Sequence, residues 1–128
     1  MSLFYKLSFL LLFFLLQSCS KDVIEKSTIK ENNQELEMIA AYTEGLDTLN
    51  KGDTFFAAKK FLEAELLLPQ SEWASKSALM ASYAYYLQEY YSKSIFHLNR
   101  YLKTYPNNKD IVYANYLLAM GYYETIDN

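Results

Sequence analysis

The sequence predicts an all-α fold built from stacked helical hairpins, and three observations predict it. Breakers are scarce, with two prolines and three glycines in 128 residues, while 52% of the chain is hydrophobic and 17% aromatic. Few breakers and long apolar periodicities favour helices over a turn-rich sandwich. Five positions, Gly45, Ala57, Phe61, Ala64 and Pro69, are each matched 37 residues later, by Ser82, Ser94, Leu98, Tyr101 and Pro106. Finally, Tyr83-Ala84-Tyr85-Tyr86, inside Ser71 to Tyr91, is helix-patterned and rich in tyrosine, with altered copies on either side.

A fixed offset held at five positions is an internal repeat. Its first copy, a small residue followed by A-x-x-x-F-x-x-A and a closing proline, fits the helix-turn-helix unit of the tetratricopeptide repeat. Units of this kind stack into a short right-handed superhelix, an α-solenoid. The chain has room for one small domain, and a net charge of −3 with no basic block argues against nucleic acid as a partner.

The N-terminus is a separate object. Lys6 gives a positive start and Leu7 to Leu16 an apolar run too short for a membrane span, so residues 1–18 are expected to be a signal peptide. Leu16-Gln17-Ser18-Cys19 resembles the bacterial lipoprotein box, although Gln17 departs from the small or aliphatic residue usual there. The resemblance implies cleavage before Cys19 and acylation of its thiol, leaving a mature chain of 110 residues with a charge of −4. Cys19 is the sole cysteine, which removes any disulfide framework or cysteine metal site. By resemblance to the sorting rule of Gram-negative lipoproteins, Ser20 rather than aspartate at the second mature position implies the outer membrane.

Residues 19–34 are polar and mixed in charge, and are expected to form a flexible tether with a span on the order of 20 Å. The first helix is expected over about Glu35 to Asn50, capped by Asn32 or Asn33, with Leu36, Ile39, Ala40, Leu46 and Leu49 at helical spacing. Lys51-Gly52-Asp53 should break it, glycine taking a left-handed turn and Asp53 capping a second helix to about Leu68, which Pro69 ends. Gly45, Ala57 and Ala64 would let the two helices approach closely, with Phe61 between them. These make repeat one, residues 35–70. Ser71 should cap the first helix of repeat two, residues 71–107, and a second helix follows from about Tyr91 to Thr104. After Asp110 a third first-helix begins, residues 110–128, with Ala119 at the place of Gly45 and Ser82. Because Val112, Leu117, Leu118, Met120 and the tyrosines surround it with apolar surface, it reads as half of a third repeat rather than a polar cap, and a longer array is expected.

First helices of successive repeats line the concave face of such an array. Repeat register places Ile39, Tyr42, Leu46 and Leu49, then Leu79, Tyr83, Tyr86 and Leu87, then Tyr113, Tyr116, Met120 and Tyr123 on it. Six tyrosines, Tyr42, Tyr83, Tyr86, Tyr113, Tyr116 and Tyr123, thus fall on one expected groove. Tyrosine combines apolar area with a hydrogen-bonding tip, which suits an extended or aromatic-rich peptide, though about half are expected to pack between repeats. Catalysis finds no support. The single histidine, His97, is expected at the outer surface, Glu63 and Glu65 point to different helix faces, and no phosphate loop, serine elbow or metal-ligand spacing occurs. No cofactor is expected beyond lipid on Cys19, and Lys59-Lys60 and Glu72 read as solvated faces.

From about Tyr42 to Tyr123 the chain resembles the BamD family, repeat-bearing lipoproteins of the β-barrel assembly machinery. The stretches that carry the resemblance are Gly45-Leu46 with Gly52-Asp53, Pro69-x-Ser71-Glu72-Trp73-Ala74, Tyr83-Ala84-Tyr85-Tyr86, Asn99-Arg100-Tyr101-Leu102-Lys103-Thr104-Tyr105-Pro106-Asn107, and Val112-Tyr113-x-x-Tyr116. Asn108 departs from the histidine or proline-rich turn expected there. The resemblance implies a non-enzymatic scaffold, lipid-anchored at the periplasmic face of the outer membrane. Its implied partners are unfolded outer-membrane proteins, the barrel-forming assembly protein and accessory lipoproteins. A different envelope lipoprotein with the same repeats, such as a pilus-assembly pilotin or a cell-envelope coordinator, would share anchor and fold but not partner.

Overall fold

The computed structural model describes residues 25–126, with side chains from Asn33 onward. The signal sequence, Cys19 and residues 20–24 lie outside the described residues. The chain divides into two units, residues 1–31 and 32–128, and the first contributes only the opening of a helix to what is described. Five helices follow in order: α1 Glu25–Asn50, α2 Thr54–Leu67, α3 Glu72–Leu87, α4 Tyr91–Thr104 and α5 Ile111–Glu124. Among the described residues there is no strand, and the fold is all-α, as the repeat predicts.

The first correction is at α1, which starts at Glu25 and not near Glu35, so residues 25–34 of the expected tether are helical. No glycine or proline interrupts residues 25–44, so nothing in the segment stops the helix before Glu25, although it carries no apolar stripe. Asn33 is accordingly an interior residue whose side-chain amide donates to Glu37 Oε1 at 2.8 Å, not a cap. The other boundaries follow local chemistry. Gly52 takes φ +84° after α1, Asp53 accepts from the backbone N–H of Phe56 at 3.1 Å, and Ser71 accepts from that of Ala74 at 3.2 Å.

Close approach between α1 and α2 rests on a missing atom. A Cβ at Gly45 would lie 2.8 Å from the Phe61 ring, so only glycine lets that ring, itself fully buried, approach α1 this closely. Met38, Ala41, Tyr42, Ala57, Ala58, Phe61, Ala64, Ala81, Ala84 and Tyr85 form the first core cluster, which joins α1, α2 and α3. Ala78, Leu79, Leu98, Tyr101, Ala114 and Leu117 form the second, joining α3, α4 and α5. In the second hairpin Ser94 Oγ donates to the carbonyl of Ser82 at 2.9 Å, so two serines make the tight crossing that glycine and alanine make in the first. Burying each apolar side chain is worth roughly 1.5–3 kcal/mol, which is what holds helices this short.

Two polar devices hold the helices in place, one joining the first hairpin to the second and the other bracing the second hairpin at its closing turn. Glu65 on α2 is buried and accepts from both Arg100 terminal nitrogens, at 2.7 and 2.5 Å, and from the Tyr105 hydroxyl at 2.9 Å. Arg100 is held more firmly protonated by its hydrogen bonds to Glu65, and Tyr105 is pushed well up by burial and that same carboxylate. Asn108 accepts from the Tyr101 hydroxyl at 3.0 Å and from the Asp110 N–H at 2.9 Å, and donates to Ser75 Oγ at 2.8 Å. One amide therefore ties the turn after α4 to α3.

Candidate peptide-binding groove

The tyrosines expected on the concave face separate into groups. Tyr42 is corrected: it is 6% exposed, within the first core, with its ring 5.3 Å from Phe61 and 5.1 Å from Trp73. Its neighbours on α1 behave similarly, since Leu46 and Leu49 pack on that core while Ile39 stays exposed. Leu79 is also buried, and Leu87 is exposed beyond the end of the packed face. The register argument took every i, i+3, i+4 position as lining. The pairing of α1 with α2 claims the half of that stripe nearest the hairpin partner.

Tyr83, Tyr86, Tyr113 and Tyr116 do come together. Tyr83 and Tyr86 lie partly buried on the second core, and Tyr113 and Tyr116 stand on the neighbouring helix with ring centroids 6.4 Å apart, 43% and 60% exposed. Burial raises the Tyr113 hydroxyl, and the nearby Tyr83 and Tyr116 hydroxyls raise it further. Burial also raises Tyr86, helped by the carboxylate of Glu124 and by Tyr91 and Tyr116. Tyr113 on α5 thus senses a hydroxyl on α3, and Tyr86 on α3 senses one on α5, as neighbours across a shared surface do. Tyr91 joins the cluster, 5.5 Å from Tyr86, with its own hydroxyl raised by burial and then by Glu124 and Glu89. Tyr123, 59% exposed, lies two turns beyond Tyr116 along α5.

Glu124 was not anticipated, yet it supplies the charge at this end of the surface. Its spacing carried the signal: Tyr113, Tyr116, Met120 and Glu124 follow one another at three and four residues, one stripe of a helix. A cavity of about 630 Å³ opens beyond it, lined by Phe55, Tyr90, Tyr91, Glu89 and Glu124 among others. His97 is also corrected. It is half-buried, stacked on Tyr85 at 5.1 Å with its Nδ1 enclosed, and burial followed by the Arg100 charge lowers its pKa, keeping it neutral near pH 7. Glu63 is exposed and paired with Lys60 at 3.0 Å, whereas Glu65 is buried in its pair with Arg100. No catalytic constellation joins them. Among the described residues no three His, Cys, Asp or Glu side chains gather to hold a metal.

The sequence is matched by known proteins. A family profile described as "Outer membrane lipoprotein" (YfiO) covers residues 34–128. The chain belongs to this family. It is similar to the outer membrane protein assembly factor BamD of Caulobacter vibrioides, 35% identical over 102 residues, which is 80% of this chain and 33% of that protein. It is also similar to the factor of the same name from Rickettsia prowazekii, 33% identical over 100 residues, 77% of this chain and 40% of the relative. The chain therefore spans between a third and two fifths of the length of these relatives. No solved structure matches it.

Proposed function

We propose that the protein is a non-enzymatic scaffold of outer-membrane protein assembly, held at the periplasmic face of the outer membrane by lipid on Cys19. Its tyrosine surface, in this reading, holds an extended, aromatic-ended segment of an unfolded barrel protein. The observation that carries it is the gathering of Tyr83 and Tyr86 on α3 with Tyr113 and Tyr116 on α5, in a chain whose relatives are named assembly factors. A rigid pair of helices presents these rings at low entropy cost, and their hydroxyls can bond to peptide backbone. The barrel-forming assembly protein and accessory lipoproteins are the further partners the reading implies. The reading needs no cofactor beyond the lipid.

One or two aromatic anchors among near-neutral contacts give a dissociation constant in roughly the micromolar range. Fluorescence anisotropy with a labelled C-terminal strand peptide of a barrel protein tests it. Tyr83→Ser with Tyr113→Ser should abolish binding while helicity is retained. Unchanged affinity in that variant would make the tyrosines structural and the reading wrong.

A further inference from the structure

Outward positions on the helices of a repeat stack face water and are expected to be polar. On the outer helices of this chain they are not. Phe56, Lys59, Glu63 and Leu66 form one exposed stripe along α2, at spacings of three and four residues, and the positions 37 residues on, Lys93, Phe96, Arg100 and Lys103, run along α4 in the same register. Leu66 is 77% exposed and Phe96 66%. The two stripes lie side by side, since Arg100 is bonded to Glu65 of α2, and Lys59 and Lys93 both lie over the Phe55 ring, at 4.7 and 5.1 Å. Glu63 is the one carboxylate among the eight, and Lys60 already pairs with it at 3.0 Å. α4 carries no acidic residue, whereas the described side chains of α1, the inner helix of the first hairpin, include Glu35, Glu37, Glu44 and Asp47 and no base. A chain with a net charge of −3 thus turns a cationic and apolar side outward.

We infer that this outer side of α2 and α4 is a contact surface for a bilayer that contains anionic phospholipid. Phe56, Leu66 and Phe96 enter the headgroup region, while Lys59, Lys93 and Lys103 reach the lipid phosphates with their alkyl stems along the apolar side chains. Composition favours lipid over a protein partner. Lysine is depleted from protein interfaces, whereas lysine mixed with phenylalanine and leucine is what helices lying in a membrane interface present. Shape agrees, because second helices form the convex side of a repeat stack, and a convex ridge of protruding side chains suits a deformable surface. The helices lie on the bilayer and do not span it: among the described residues no helix is long and apolar enough to cross a membrane. Tyr83, Tyr86, Tyr113 and Tyr116 belong to the inner helices α3 and α5, so lipid contact leaves the tyrosine surface open. The inference stands on the charge and exposure of the outer stripe and rests neither on the acyl anchor nor on the peptide reading.

Vesicle co-sedimentation tests it with the mature chain, residues 19–128, carrying Cys19→Ser so that no acyl chain can bring it to lipid. The protein should pellet with vesicles of phosphatidylcholine mixed with phosphatidylglycerol and stay in solution with phosphatidylcholine alone, and its affinity should fall as salt rises. Lys59→Gln and Lys103→Gln should each weaken binding about fivefold, and Phe96→Ser about tenfold. Tyr122→Ser, which removes an exposed ring on α5, should leave binding unchanged. Circular dichroism checks that each variant stays helical. Equal pelleting with neutral and anionic vesicles, pelleting with neither, or indifference to Lys59→Gln, Lys103→Gln and Phe96→Ser would overturn the inference. So would a photo-crosslinker at position 59 that captures protein and no lipid in intact envelopes, which would make the outer stripe a protein interface. Because the assay contains no acyl chain, failure here leaves the anchor on Cys19 standing.

Discussion

Adding one methyl at Gly45 tests the α1–α2 packing at its tightest point. The new Cβ would meet two Phe61 ring atoms at 2.8 and 2.9 Å and a third at 3.2 Å. Ordinary carbon contacts are about 3.5–4.0 Å, so the ring or the helix must move by more than half an ångström in a core with no spare room. Overpacking of this kind costs about 1–3 kcal/mol, against a gain of roughly 0.5–1 kcal/mol from replacing an interior helical glycine by alanine. Gly45→Ala alone should therefore destabilise, by up to about 2 kcal/mol net. Phe61→Leu alone should cost about 1 kcal/mol. Combined, leucine withdraws the atoms that clash, and the alanine then keeps only its helical gain, as Ser82 and Leu98 coexist in the second hairpin. Urea unfolding of the four members of this cycle at 25 °C should give a favourable coupling of about 1–3 kcal/mol. Additive effects would mean that the two residues do not meet, and the hairpin register would be wrong.

Phe61→Ala should cost about 3–5 kcal/mol, enough to unfold most of the molecules, as thermal melting by circular dichroism will show. Asp53→Ala and Ser71→Ala each remove a helix cap and should each cost about 1 kcal/mol, a fall in melting temperature of some 4–8 °C. Tyr101 has its hydroxyl pushed up to about 12 by burial and by Asp110, so the folded state resists its ionisation. That contribution is complete below pH 10 and fades as pH rises from 10 through 12, so the alkaline unfolding midpoint should rise in Tyr101→Phe once its neutral-pH loss of about 1 kcal/mol is subtracted.

The repeat made most of this fold legible. Gly45, Ala57, Phe61 and Ala64 gave the close hairpin, and Gly52-Asp53 and Ser71 the boundaries, because steric and capping chemistry is local and residue-specific. The start of α1 was not legible, since a polar segment of mixed helix propensity and no breaker has no apolar period to distinguish helix from coil. At the surface, register placed Tyr83, Tyr86, Tyr113 and Tyr116 together but misplaced Tyr42, because a helix stripe does not say which half its hairpin partner will cover. Glu65 was read only as pointing away from Glu63. Its burial depends on Arg100 and Tyr105, 35 and 40 residues further on, and no short-range pattern announces such a partner.

The proposed role in barrel assembly is tested most directly in the envelope itself. A photo-crosslinking amino acid at Tyr113, on the tyrosine surface, is compared with the same group at Phe96, exposed on α4. Crosslinks from position 113 to newly exported, unfolded outer-membrane proteins, absent from position 96, are the expected result. Equal capture from both positions, or none from 113 while barrel proteins are being assembled, would contradict it.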